Sequence, residues 1–262
     1  AAARAMGSSY RHTWGALKQW EDTLGAPLVV WIKGQNARLT PLAERLLWAE
    51  TRTRHRLAPH IEALRSELER VLALAFDEQH EVITLYASHD LALPLLRDSA
   101  EAQGLHIDLR FAGSADALRA LAHGRCDVAG FHVPVLQGAA AKAPGVVRAL
   151  KSLLKPGRHK LIASHRRMQG LIVAHGNPHE VLGLQDLVRP KLRFVNRQPG
   201  SGTRLLTEYL LHEAGLDAER IGGFHGPCED THGAVAAAVA SGVADVGVGI
   251  EAAAVQFNLH FV

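Results

Sequence analysis

Two hydrophobic rhythms divide this chain. Through roughly the first 75 positions apolar residues recur every three or four places, the spacing of amphipathic helices. Ala1 to Met6 reads as a short alanine-rich helix end and Gly7 as a turn; Ser8 or Ser9 caps a helix that runs to Leu24 and closes with Gly25 and Pro27. Tyr10, Trp14, Leu17 and Leu24 share its helical spacing and are expected to face a core, which makes Trp14 a packing residue rather than a stacking platform. Pro27 to Ile32 reads as a strand, Lys33 to Asn36 as a turn and Ala37 to Thr40 as the returning strand. Thr40 then caps a long helix opened by Pro41. Its apolar stripe runs through Leu42, Leu46, Leu57, Ile61, Leu64, Leu68, Val71 and Leu72, with Pro59 placed to kink or divide it.

From His80 onward strands alternate with helices, the pattern of layered α/β structure. Strands are expected at Glu81–Ala87, Leu105–Phe111 and Cys126–Val133, with helices starting near Ser88-His89-Asp90 and over Ala115 to His123. A Pro/Gly/Ala-rich passage follows to Gly157. Further strands are expected near Lys160–Ser164, Leu171–His175, Ile221–Phe224, Ala244–Ile250 and Phe257–Val262, and a helix over Thr231 to Ala240. The fold class is therefore α/β, with a head over residues 1–40, a linker helix over 41–78 and an α/β domain over 79–262.

The 262 residues suffice for more than one domain, and 47% apolar content allows a substantial core. No apolar run reaches the roughly 20 residues of a membrane helix, and no signal-peptide order is present, so a cytoplasmic protein with no membrane partner is expected. The two cysteines and 16 histidines show no metal-ligand spacing, and no nucleophile elbow or catalytic triad is readable. No catalytic residue, metal or cofactor is expected, and an enzyme is the least favoured reading. Charge is uneven: residues 1–75 carry 11 Lys/Arg against 7 Asp/Glu, and the remainder is nearly neutral. A basic head suits double-stranded DNA. On the first long helix Ser8, Ser9, Arg11, His12 and Gln19 lie away from the apolar stripe, and Lys33 and Arg38 flank the hairpin; these are the candidate DNA contacts.

The most specific chemistry lies at Asn196 to Arg204, where an apolar strand breaks into a Gly-Ser-Gly-Thr turn and becomes a helix. Glycines let backbone amides approach a ligand, Ser201 and Thr203 add hydroxyls, and the helix start adds unpaired N–H groups. The spacing is neither that of a P-loop nor that of a dinucleotide fingerprint. Ser88 with His89, Ser114, and Thr231 with His232 sit at comparable strand ends, so the candidate ligand residues are Ser88, His89, Ser114, Arg197, Ser201, Gly202, Thr203, Arg204, Thr231 and His232. His132 and His225 lie near strand ends as well, whereas Glu229 and Asp230 are expected to be solvated or capping.

GSSYRHTWGALKQWEDTLGAPLV followed by ARLTPLAERLL resembles the winged helix-turn-helix of molybdate-responsive ModE-like regulators and, more distantly, the LysR-type head. Against that pattern the first helix is incomplete, which implies missing upstream residues. FVNRQPGSGTRLLTEYLLHEAG and DTHGAVAAAVASGVADVGVGIEAAA resemble the two-lobed type II periplasmic-binding-protein (PBP-like) fold found fused to such heads. The resemblance implies a transcriptional regulator sensing molybdate, tungstate or another small anion between its lobes. The apolar stripe of the long linker helix, flanked by charges, is the expected seam of a homodimer, or of a higher oligomer. Two arginines in the cleft would favour a small organic acid, as in LysR-like sensors; a molybdenum-handling binding protein that does not bind DNA is the other alternative.

Overall fold

A computed structural model describes residues 2–32, 36–76, 82–133 and 150–262. Lys33, most of the hairpin turn, Glu81 and the larger part of the Pro/Gly/Ala-rich passage lie outside the described residues. The chain forms two compact units, 1–51 and 52–262, and the boundary falls inside the long helix.

In the first unit α1 (Ala2–Ala5) and α2 (Tyr10–Leu24) are joined through Gly7, whose φ of 61° is left-handed. Ser9 caps α2 by accepting from the His12 N–H, and Gly25 ends it at φ 65°. β1 (Val29–Val30) and β2 (Arg38–Leu39) form a short antiparallel hairpin, smaller than the sequence predicts. The expected core face of α2 needs correction: Tyr10 and Leu24 are exposed, while Trp14 packs against Tyr10 and Trp31. The buried member of α2 is Glu21, because its carboxylate accepts the Leu28 and Val29 N–H groups and ties the helix to the hairpin. α3 (Pro41–Phe76) follows with Thr40 as its cap and Pro59 inside it.

The second unit contains two similar βαβαβ layers. In the first, β3 (Val82–Ala87), α4 (Ala92–Glu101), β4 (His106–Phe111), α5 (Ser114–Ala122) and β5 (Val128–Gly130) build a parallel sheet ordered β4-β3-β5. In the second, β6 (Gln169–Val173) precedes β7 (Phe194–Arg197), α6 (Gly202–Glu213), β8 (Cys228–Glu229), α7 (His232–Ala240) and β9 (Val246–Ile250); α8 (Glu251–Gln256) and β10 (His260–Phe261) complete the lobe. Its sheet order is β10-β6-β9-β7-β8, so β8-β7-β9 repeats the parallel arrangement of β4-β3-β5. β6 and β10 add antiparallel edges.

Close packing in the second lobe follows from its composition. α7 has no polar face, and seven of its nine residues are buried. It can lie directly on β9 because Gly247 and Gly249 alternate with Val246, Val248 and Ile250; a Cβ at Gly247 would sit 2.5 Å from the Val235 side chain. Phe194, Leu211, Val246, Val248 and Phe224 gather on the opposite face.

Three sequence expectations differ here. Residues 160–164 form no strand, because they pair with no neighbour and Leu161 and Ile162 are exposed. Ile221–Phe224 is a turn broken by Gly223 at φ 96°, with Ile221 and Phe224 buried as its anchors; the strand lies later, at Cys228–Glu229. α8 fills a stretch for which the sequence pattern predicted no element.

The part of α3 from Arg52 onward packs on both lobes of its unit. The Ser66 hydroxyl, fully buried, donates to the Ile107 carbonyl and accepts the Leu109 N–H on β4. Arg52 Nε reaches Glu229 at the end of β8, 2.7 Å away. The remaining face carries Leu57, Ile61, Leu64, Leu68 and Val71, spaced four and three apart and 48–67% exposed.

Candidate functional site

The parallel layers bring their carboxyl strand ends to one cleft. Ser88-His89-Asp90 leaves β3, Ser114 starts α5 after β4, Asn196-Arg197 ends β7, Ser201 caps α6 and Thr231 caps α7 after β8. Ser114 and Thr231 thus occupy equivalent places in the two repeats. Gly200 adopts φ 79°, turning the chain so that Ser201 meets the α6 N-terminus and accepts the Arg204 N–H at 3.2 Å. This turn approaches the opposite lobe closely: a Cβ on Gly113 would lie 3.0 Å from the Gly200 carbonyl, and one on Gly202 3.8 Å from Ser114 Oγ.

Beside these turns His55, His89, Asp90, Leu91, Thr231, His232 and Gly233 line a narrow recess. Thr231 spends its hydroxyl on its own helix and on α3, accepting the Ala234 N–H and donating to the His55 carbonyl. His232 is buried, and among the described residues neither ring nitrogen has a hydrogen-bond partner. Burial and the charge of Arg197 hold its imidazole neutral, well below the usual titration range. The same two causes push His89 down to about 4. Two neutral imidazoles therefore offer N–H donors without contributing charge.

The positive charge comes from Arg197, which is 4% exposed. Its Nε donates to the Glu229 carbonyl at 3.1 Å and its Nη2 to the Asp230 carbonyl at 2.9 Å, while the buried Nη1 has no partner among the described residues. Desolvation and the neighbouring Arg167 lower its pKa to about 10, so it stays cationic at neutral pH. Among the described residues it forms no ion pair within salt-bridge distance, although the Asp230 and Glu229 carboxylates lie near enough to favour its charge, and Asp90 and Glu229 have arginine partners of their own. Asp90 takes Arg167 Nη1 at 2.6 Å, and Glu229, with no exposed side chain, takes Arg52. Burial would raise the Asp90 pKa, but His132, the Ala92 N–H and Arg167 outweigh it and hold the carboxyl well below its usual range.

Most of the predicted ligand residues thus converge. Ser114, Ser201 and Thr203 are buried at the facing turns, and Gly202 opens α6 between them. Ser88 Oγ bonds His132 Nδ1 at 3.1 Å. Arg204 is directed elsewhere, because its guanidinium bonds Glu208 and the Arg197 carbonyl and covers the Phe224 ring. Glu229 is not solvated, since the arginines that neutralise it lie 177 and 173 positions earlier and leave no trace in local pattern. Asp90, His165 and Arg167 were likewise missed; only the Ser-His-Asp strand end hinted at the first. In the head unit Arg11, His12, Gln19 and Arg38 are exposed, Ser9 is spent on capping, and Ser8 is half-buried.

A family model described as the PBP superfamily domain matches residues 97–262. The chain is 31% identical over 179 residues to the uncharacterized protein YvgK of Bacillus subtilis (strain 168), covering 68% of this chain and 56% of that protein. It therefore spans little more than half the length of this curated relative. Solved structures of similar shape include the sulfate-binding protein SubI of Mycobacterium tuberculosis, 20% identical with a TM-score of 0.46 over 68% of each chain. An OxyR mutant of Corynebacterium glutamicum is 18% identical with a TM-score of 0.40, over 95% of this chain and 69% of that one. No helix among the described residues is long and apolar enough to cross a membrane. The family match, which takes in most of both βαβαβ layers, is decisive: this chain belongs to the PBP superfamily.

Proposed function

We propose that the protein is a ligand-responsive, DNA-binding transcriptional regulator whose two-lobed domain binds a small oxyanion of the molybdate or tungstate type. The observation that carries the reading is Arg197: a buried guanidinium with no carboxylate partner and one unspent nitrogen, beside a buried histidine with two. Leaving such groups unsatisfied costs about 1–3 kcal/mol each, and an anion that accepts from them recovers it. The Ser114, Ser201 and Thr231 helix starts supply further N–H dipoles for a tetrahedral anion.

An oxyanion is favoured over an organic acid because Arg197 stands in the site without Arg204 beside it. Its Nε and Nη2 are committed to backbone carbonyls, and Arg204 is turned away. The protein acts by binding rather than turnover. The head unit, a winged helix-turn-helix in this reading, contacts DNA through Arg11, His12, Gln19 and Arg38, and the apolar 4-3 stripe of α3 pairs two copies.

The test is thermal stability across molybdate, tungstate, sulfate, phosphate and small carboxylates, since a ligand of the native state raises Tm. A rise with the oxyanions, lost in Arg197→Gln and in the Ser201→Ala/Thr203→Ala double variant, supports the site. A rise with carboxylates alone moves the assignment to an organic acid.

A further inference from the structure

Beside the cleft, three side chains from separate parts of the second unit point at one spot. Asp90 follows β3, His132 follows β5, and His165 lies in the extended run before β6. His165 Nε2 is 3.3 Å from Asp90 Oδ2 and His132 Nε2 is 3.6 Å from the same oxygen; the three atoms all lie within 4.8 Å of one another. A tetrahedral ion with bonds of roughly 2.0–2.2 Å to nitrogen and oxygen separates its ligand atoms by roughly 3.3–3.6 Å. We infer that Asp90, His132 and His165 form a binding site for one divalent transition-metal ion of the zinc class.

The groups behind these atoms are arranged for that task. Metal on Nε2 requires hydrogen on Nδ1, and that hydrogen requires an acceptor. Ser88 Oγ lies 3.1 Å from His132 Nδ1 and Ser164 Oγ lies 3.0 Å from His165 Nδ1, so each ring has a hydroxyl that fixes its orientation. The Ala92 N–H holds Asp90 Oδ1 at 2.9 Å and turns Oδ2 toward the imidazoles. An ion pair with Arg167 alone would need none of this convergence. Arg167 Nη1 uses one lone pair of Oδ2 and leaves the other for the metal, and its charge weakens the site. Two imidazoles and one carboxylate leave a fourth position open to water or an anion. The site borders the proposed oxyanion cleft through Asp90 and Ser88, but none of its ligands is Arg197 or His232.

The experiment is titration of the chelator-stripped full chain with zinc chloride by calorimetry, with cobalt(II) absorption as the geometric readout. The expected result is one ion per chain, intense tetrahedral cobalt bands, and loss of both in His132→Ala/His165→Ala. Ser88→Ala should weaken binding by about 10–100-fold, as removal of an outer partner does. Arg167→Gln should tighten it, and His179→Ala, altering a histidine that sits on Asp245 instead, should leave it unchanged. Absence of stoichiometric binding, binding that survives the double variant, or an octahedral cobalt spectrum in the wild-type chain overturns the assignment; the stoichiometry and cobalt spectrum of the wild-type chain, with Ser88→Ala, decide the matter if the double variant does not fold.

Discussion

Arg52 Nε lies 2.7 Å from Glu229 Oε1, joining α3 to the end of β8, and the same Glu229 offers its main-chain carbonyl to Arg197 Nε at 3.1 Å. The carboxylate is wholly buried, and Arg56 stands farther off at 3.6 Å. Removing Arg52 leaves a charge in low dielectric with one distant partner. Arg52→Met is expected to destabilise the protein by about 3 kcal/mol in urea unfolding, and Arg52→Met/Glu229→Gln by less than the single change, because the stranded charge is then absent.

His89 and His232 make stability depend on pH. A histidine in the unfolded chain titrates near 6.5, whereas His89 in the fold titrates near 4. Between those values the unfolded state binds the extra proton, so stability present above pH 6.5 is lost as pH falls toward 4, at up to about 1.4 kcal/mol per unit for a single group. His232 acts with the same sign. Urea midpoints measured from pH 7 to 4 should fall, and His89→Gln should flatten the decline; a slope unchanged in that variant counts against the neutral imidazole.

The exposed α3 stripe should govern assembly. Ile61, Leu64 and Leu68 are 56–67% exposed in the isolated chain. Leu64→Lys/Leu68→Lys is expected to convert a dimer to a monomer in sedimentation or light scattering without lowering Tm of the monomeric unit, because the side chains pack on nothing within it. A dimer that persists in this variant places the interface elsewhere.

Gly113 tests the approach of the two lobes. A methyl group there meets the Gly200 carbonyl at 3.0 Å, so Gly113→Val must push the facing turns apart. Anion affinity should drop by about tenfold, roughly 1.4 kcal/mol, with near-native Tm of the free protein. Unaltered affinity would show that the turns need not close on the ligand.

Much of the cleft was legible because it is built from local signals. Ser201 and Thr231 read as hydroxyl-bearing residues at helix starts from their own neighbours, and strand-turn-helix junctions at Ser88, Ser114 and Arg197 follow from hydrophobic period and glycine placement. The layers themselves were equally readable, since α7 and β9 are continuous apolar runs. What escaped depends on partners distant in sequence: Glu229 with Arg52, Arg97 with Glu62, and Asp90 with Arg167 are pairings made by the fold. The false strands at 160–164 and 221–224 share a cause, as two or three apolar residues suggest a strand while only a neighbouring chain can supply its ladder.

The glycine floor of β9 has a mechanical meaning for the cleft. Gly249 lies beneath His232, where a methyl carbon would collide with Ile172 Cδ1 and touch Nδ1 at 3.6 Å, and seven of the nine residues of α7 are buried. That imidazole is buried at the start of a helix with no free face, so the helix is poorly placed to shift for a ligand of different size. Under the proposed reading, accommodation of one anion over another falls to the opposite bank, where Ser88, His89 and Ser114 stand on the smaller, three-stranded sheet, and selectivity is best altered by substitutions there.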